Sequence, residues 1–207
     1  MGLLKKFFNQ ARRPEGFLGK VMLKVMNVGH AKGADWALSK LDLEAPSEIL
    51  DIGCGGGRNA AEMLKKYPSA HVSALDYSPT SVKKTMEYNK DMIAAGRCSV
   101  LEGNVSALPF EDGRFDLVTA FETIYFWQGL ADCFSEVRRV LKSGGLFLAA
   151  NESAGADPVI HKFEKIIDGM KAYTPEEIED ALKTAGFSYV RTERRLSSQW
   201  VAVLAKK

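Results

Sequence analysis

Residues 49–57 read Ile49-Leu50-Asp51-Ile52-Gly53-Cys54-Gly55-Gly56-Gly57, and this stretch decides the fold. An apolar strand ends in an acid, passes into a glycine loop, and continues into a helix that begins near Arg58. Strand, glycine loop and helix in that order build a cofactor site at the carboxyl end of a parallel strand. The acid carries as much information as the glycines. A carboxylate at the strand's end repels a pyrophosphate but suits a ligand that bears positive charge.

Outward from this point, strands and helices alternate. Glu48–Ile52 reads as the first strand, and Ala60, Met63, Leu64 and Tyr67 mark the apolar face of the helix after it. His71–Asp76 is a second strand. Ser78-Pro79 is an N-cap followed by proline at the first helical position, which opens a long helix to about Ala95. Cys98–Glu102 is a third strand, and Phe115–Phe121 a fourth, nearly all apolar as expected inside a parallel sheet. Leu130, Phe134, Val137 and Leu141 stripe the next helix. Ser143-Gly144-Gly145 then turns into a fifth strand over 146–150. Asp157-Pro158 opens a small helix with Phe163, Ile166, Ile167 and Met170 on one face. Thr174-Pro175-Glu176-Glu177 is a capping box before another helix. Residues 187–194 and 198–205 read as a closing strand pair at one sheet edge.

Ahead of the first strand, Leu18, Val21, Met22 and Val25 fall at helical spacing over 16–27. Gly29 and Gly33 interrupt that pattern, and a second short helix starts at Asp35, a plausible N-cap. The expected fold is α/β: a Rossmann-like, doubly wound, mostly parallel seven-stranded sheet with an antiparallel terminal strand and an N-terminal helical cap. Residues 1–43 are the expected cap and 44–207 the main domain.

The 207 residues suit one globular unit, and 46% hydrophobic residues supply a core. A net charge of +2 points to neither nucleic acid nor stable membrane insertion, and no apolar run approaches the ~20 residues of a bilayer span. The N-terminus lacks the uninterrupted apolar stretch of a secretory signal. Cys54, Cys98 and Cys133 are odd in number and widely spaced, so they form no disulfide framework and no metal is expected. A reducing, cytoplasmic setting follows. Cys54 reads as a small loop residue rather than a nucleophile.

The rival to weigh is a nicotinamide-binding unit, whose G-x-G-x-x-G fingerprint packs its third small residue against the strand. Gly53 and Gly55 fit, but the third position is Arg58, and Asp51 stands where a pyrophosphate would be repelled. Asp76 ends the second strand about 20 residues after the loop, where a carboxylate chelates ribose hydroxyls. Glu102-Gly103-Asn104-Val105-Ser106-Ala107-Leu108-Pro109-Phe110 follows the third strand, where an adenine can lie on Val105 and be read by the Asn104 amide. Together these segments resemble a class I S-adenosylmethionine-dependent methyltransferase of the small-molecule kind, in the manner of the type 11 and type 25 domains. The glycine loop is similar to that family's D-x-G-x-G-x-G, and Ala74-Leu75-Asp76-Tyr77-Ser78 to its ribose motif. Residues 103–110 are similar to G-D-x-x-x-L-P-F. The run Glu136-Val137-Arg138-Arg139-Val140-Leu141-Lys142-Ser143-Gly144-Gly145 is similar to E-x-x-R-V-L-K-P-G-G. The order and spacing of four motifs carry the resemblance.

The resemblance implies S-adenosyl-L-methionine as cofactor, released as S-adenosyl-L-homocysteine, and a small-molecule methyl acceptor. It implies that Asp51, Gly53, Cys54, Gly55 and Gly57 back the methionine part and that Asp76 and Tyr77 meet the ribose. Asn104 and Val105 would meet the adenine, with Phe121 and Glu122 on the far wall. Asn104 departs from the pattern, where an acid is usual, and implies weaker binding; Ser143 replaces the usual proline. The chain lacks the (N/D)-P-P-(Y/F) motif of amino-methyltransferases, which argues against DNA, RNA or protein amide nitrogen as acceptor. The acceptor is expected over the ends of the fourth and fifth strands, beside the aromatic loop Glu122-Thr123-Ile124-Tyr125-Phe126-Trp127. Tyr125 and His30 are the candidate catalytic residues, and Asn151, Glu152 and His161 are further polar groups near the same region. Lys5, Lys6, Arg12 and Arg13 read as a solvated basic face. A non-catalytic S-adenosylmethionine-binding module is the alternative to an enzyme, followed by a nicotinamide oxidoreductase.

Overall fold

A computed structural model describes residues 2–155, 158–195 and 197–207. Three helices come first: α1 (Leu3–Asn9), α2 (Gly16–Gly29) and α3 (Ala31–Leu38). Then follow β1 (Glu48–Ile52), α4 (Arg58–Lys66), β2 (His71–Asp76), α5 (Pro79–Tyr88), α6 (Lys90–Ala94), β3 (Cys98–Glu102) and β4 (Phe115–Phe121). The chain closes with α7 (Leu130–Val140), β5 (Leu141–Asn151), α8 (Pro158–Ile166), α9 (Pro175–Thr184), β6 (Tyr189–Arg194) and β7 (Val201–Lys206).

The seven strands form one sheet in the order β3-β2-β1-β4-β5-β7-β6. Strands β1 to β5 pair in parallel, and β7 inserts antiparallel between β5 and β6. The strand order reverses between β1 and β4, which opens a crevice at their carboxyl ends. Both sheet faces are covered, which is why Ile49, Leu50 and Ile52 of β1 and Leu117, Val118, Ala120 and Phe121 of β4 are apolar on both sides of the strand. On one face, Phe134 and Val137 of α7 and Ile178 and Leu182 of α9 pack on Phe147, Val118 and Val203. Phe134 and Phe147 meet edge to face, 5.5 Å between ring centres. On the other, Ala60, Met63 and Leu64 of α4 pack with Ala34, Ala37 and Leu38 of α3 against Ile49, Val72 and Leu148. Each fully buried large apolar side chain contributes roughly 1.5–3 kcal/mol.

Several local expectations change. Gly29 does not break α2, which runs through it; the break comes at His30, between α2 and α3, and α3 begins at Ala31 rather than Asp35. The inward face of α2 is Gly19, Met22 and Leu23, whereas Leu18, Val21 and Val25 face outward. The single helix expected from Pro79 to Ala95 is two, parted at Asn89. That side chain is buried and donates to the Gly57 carbonyl at 2.9 Å, so the break ties α5 to the glycine loop. Leu141 opens β5 instead of ending α7, and the pairing with β4 shifts register between Phe115 and Leu117 across the glycine turn. The capping box at Thr174 is present with both of its hydrogen bonds. The proposed cap residue Asp157 lies outside the described residues. Among the described residues, no helix is long and apolar enough to cross a membrane.

Candidate active site

The 53–57 loop leaves β1 and crosses the end of β2, where Gly53 and Cys54 donate their amides to the Leu75 carbonyl at 2.7 and 3.1 Å. Gly53 must be glycine on two counts. Its φ is +73°, and a Cβ there would lie 2.3 Å from Thr123 Oγ1. Side chains of α5 hold the loop from behind, with Thr85 Oγ1 donating to the Gly55 carbonyl at 3.1 Å and Asn89 to that of Gly57. The Asp76 carboxylate accepts from the Gly55 and Ser78 amides, both at 2.9 Å. Burial pushes its pKa up in spite of those amides.

Two cavities of about 880 and 690 Å³ meet at Gly53, Asp76, Tyr77, Thr123 and Phe126. The smaller runs over Gly103, Asn104 and Val105 toward Trp127 and Gln128. Asn104 Oδ1 already accepts from the Ser106 amide at 3.1 Å, which braces the turn and leaves the amide nitrogen without a partner among the described residues. The turn is held from below by the Glu136–Arg139 pair. Glu136 accepts from the Leu108 amide, while Arg139 donates to the Leu108 and Phe110 carbonyls at 3.0 and 2.8 Å and pairs with Asp112 at 2.7 Å. This explains the E-x-x-R pattern physically: the helix after β4 clamps the loop after β3.

The larger cavity lies between the glycine loop and α2–α3, which roof it with Leu23, Met26, Asn27 and His30. The roof is pinned in place. Asn27 Nδ2 donates to the Gly56 carbonyl at 3.1 Å, Tyr77 Oη donates to the Arg12 carbonyl, and Ser78 Oγ donates to that of Pro14 at 2.7 Å. At the β4–β5 end, His30 Nδ1 lies 2.9 Å from Glu152 Oε2. Gly33 makes room for this pair, since a Cβ there would meet Glu152 Oε1 at 3.0 Å. Glu122 stands beside them at φ +54°, a backbone conformation rare for a side-chain-bearing residue, and lines the same cavity. Burial lifts the Glu122 pKa to about 7. Burial opposes the charged form of His30, but the hydrogen bond to Glu152 and the fields of both glutamates outweigh it and raise its pKa.

The structure thus gathers Gly53, Cys54, Gly55, Asp76, Tyr77, Phe121, Glu122 and His30 around one cavity and Asn104 and Val105 around the other. Three of the expected residues stand behind the wall. Gly57 turns against α5, where a Cβ would lie 2.8 Å from the Thr85 backbone. Asp51 is 1% exposed, with Oδ1 accepting from Thr119 Oγ1 at 2.8 Å and Oδ2 without a partner among the described residues. Burial raises its pKa to about 7. Tyr125 is also buried, its hydroxyl facing Glu122 without a well-formed hydrogen bond among the described residues, because the 3-10 turn Ile124–Phe126 points Phe126 into the cleft instead. The Cys54 thiol is pushed up by burial and by the Asp76 and Asp51 charges, the opposite of an activated nucleophile. His161 pairs with Glu164 at 2.7 Å on α8, away from both cavities. Thr123 and Phe126 of the expected aromatic loop line the site, Arg12 lines it instead of standing on a solvated face, and Asn27 lines it without having been singled out, since it carries no local signal. Arg58, in the place of the dinucleotide glycine, donates to both Asp35 oxygens at 2.8 Å.

Residues 50–149 match the family described as a methyltransferase domain. Squalene methyltransferase 1 of Botryococcus braunii is 30% identical over 73% of this chain and 42% of its own. The malonyl-[acyl-carrier protein] O-methyltransferase of Herminiimonas arsenicoxydans is 29% identical over 74% of this chain and 56% of its own. The chain therefore spans about half the length of these curated relatives. Among solved structures, the methyltransferase in complex with the Haloferax volcanii Trm112 methyltransferase activator superposes with a TM-score of 0.82, covers 97% of each chain and is 20% identical, a likeness of fold. With the four motifs, the switch-point crevice and these relatives in agreement, residues 50–149 form a methyltransferase domain of the class I S-adenosylmethionine-dependent kind.

Proposed function

We propose that this chain transfers a methyl group from S-adenosyl-L-methionine to a neutral or cationic small molecule that bears a hydroxyl or amine, with His30 as the proton acceptor. One observation carries the reading: the 2.9 Å His30–Glu152 contact, with Glu122 beside it, on the wall of the cavity that adjoins the glycine loop. The cofactor supplies an activated methyl group, so the protein's part is to align the acceptor and exclude water, a contribution of roughly 7–11 kcal/mol. With Nδ1–H donating to Glu152, the Nε2 atom, which has no protein partner among the described residues, is the free base for an acceptor proton. Two carboxylates on this wall disfavour an anionic acceptor. Residues 1–43 form the cap and 44–207 the catalytic domain, α3 serving both.

The fit to the cofactor rests on the chain's own groups. Asp76 offers a carboxylate to a ribose, and Val105 an apolar surface to an adenine. The unpaired Asp51 oxygen supplies negative charge beneath the loop where an ammonium would lie. No nucleic-acid partner is proposed, given a net charge of only +2. Three free, buried cysteines support a cytoplasmic location.

The test is production of S-adenosylhomocysteine across a panel of phenols, alcohols, amines and carboxylates. Turnover with hydroxyl or amine acceptors is expected, and kcat/KM should rise with pH through an apparent pKa above the usual ~6.5 of histidine. Glu152→Gln should lower that pKa and Glu152→Asp largely keep it. Turnover confined to carboxylates, or a pH profile indifferent to Glu152→Gln, would overturn the assignment of His30.

A further inference from the structure

Helix α2 carries two apolar faces, and only one is buried. Gly19, Met22 and Leu23 pack inward, yet Phe17, Leu18, Val21, Val25 and Val28 are 79%, 42%, 36%, 54% and 73% exposed. At 3.6 residues per turn these five fall within an arc of about 100°. Among the described residues, no other helix exposes such a run of large apolar side chains. A helix apolar on nearly every side, broken only by Lys20, Lys24 and the loop-bound Asn27, is one whose second face meets something other than water.

Charge identifies the occupant. Lys20 and Lys24 are exposed along one border of the strip, and Lys6, Arg13 and Lys32 are exposed nearby in the chain. Residues 1–33 hold seven lysines and arginines against one acid, Glu15, while the rest of the chain holds 21 basic and 25 acidic residues. The basic excess is therefore confined to the segment that carries the strip. An apolar stripe bordered by lysines is the pattern of a helix lying flat in the headgroup region of an anionic bilayer. A second copy of the chain would fit poorly, because a two-fold contact through this face sets Lys20 and Lys24 near their own equivalents.

We infer that the outer face of α2, with Lys20 and Lys24, docks this protein on an anionic lipid surface. The bilayer would then lie one helix diameter from the cleft, since the inner face of α2 contributes Leu23 and Met26 to the cleft roof. The inference is independent of the acceptor assigned above.

The experiment is co-sedimentation of the full chain with vesicles of phosphatidylcholine alone or mixed with phosphatidylglycerol, with light scattering for the oligomeric state. The expected result is binding to the anionic vesicles only, weakened by added salt. Lys20→Ala with Lys24→Ala should lower vesicle affinity about thirtyfold. Val21→Asp with Val25→Asp should abolish it, and S-adenosylmethionine affinity, unchanged in both variants, reports that they are folded. Three results would overturn the inference: no binding to anionic vesicles, binding that neither variant weakens, or a dimer that the aspartate variant converts to monomer.

Discussion

Replacing Asp51 by asparagine should stabilise the free protein and weaken its cofactor site at the same time. The carboxyl is 1% exposed, Oδ2 has no partner among the described residues, and the pKa stands at about 7 against an ordinary 3.8. Three units at 1.36 kcal/mol each make the ionised form cost about 4 kcal/mol. The folded-state pKa is the higher one, so the folded chain holds an extra proton between pH ~4 and ~7. Stability from this group is full below pH ~4 and is lost as pH rises to 7, above which the whole penalty applies. Asparagine keeps an oxygen for Thr119 Oγ1 and mimics the protonated acid, so the two proteins should be alike below pH ~4 and already differ by about 1.6 kcal/mol at pH 5. At pH 8.5 the variant should be more stable, by up to about 4 kcal/mol, or a urea midpoint higher by about 1–2 M. Glu122 titrates in both proteins and cancels in the comparison. The variant should also bind S-adenosylmethionine about tenfold or more weakly, because the charge beneath the loop is gone. Equal pH dependence of the two urea midpoints would refute the buried ionised carboxylate, and unchanged affinity at pH 8.5 would remove Asp51 from the cofactor's field.

Three further outcomes are expected. Asn104→Asp should tighten S-adenosylmethionine binding about fivefold by calorimetry, since the carboxylate keeps one oxygen for the Ser106 amide and sets a charged acceptor for the adenine amine where the amide nitrogen stood, worth about 1 kcal/mol; equal or weaker binding would separate Asn104 from the adenine. Arg139→Ala frees the Leu108 and Phe110 carbonyls and Asp112, and should cost about 1–3 kcal/mol in urea unfolding while loosening cofactor binding. Unchanged cofactor affinity in that variant would disconnect the clamp from the adenine loop. Tyr125→Phe removes a buried hydroxyl that lacks a well-formed hydrogen bond among the described residues and should raise stability by about 1 kcal/mol with cofactor affinity intact; a destabilised variant would show that the hydroxyl is bonded, to Glu122 in the first instance.

The residues that were legible in the sequence are those whose signal is local. The 53–57 loop declares itself because backbone at positive φ needs glycine, and β4 does because a strand covered on both faces is apolar along most of its length. The break at Asn89 has no local cause: an asparagine inside a helical pattern looks tolerable until the Gly57 carbonyl is brought against it. Tyr125 and Phe126 are adjacent aromatics of similar size, and only the 3-10 turn decides which reaches the cleft. His30 and Glu152 are 122 positions apart, so each was visible as a polar residue near a strand end or a helix junction, but their pairing belongs to the tertiary fold.

Helix α2 shows the limit most clearly, because periodicity there supports two answers. Leu18, Val21 and Val25 keep the i, i+3, i+7 spacing of a buried face, and so do Gly19, Met22 and Met26. Hydrophobicity favours the first set, which has no glycine. What selects the second is close approach: Gly19 lies against Pro14, where a Cβ would come within 2.7 Å of the Pro14 carbonyl carbon, and Asn27 reaches the Gly56 carbonyl. The smaller, flatter face is buried because only it lets the helix come down onto the glycine loop. The larger apolar face is thereby left outward, bordered by Lys20 and Lys24. An outer face serving only to cover the cleft has no physical need of large apolar side chains, and that is the feature the proposed lipid contact accounts for.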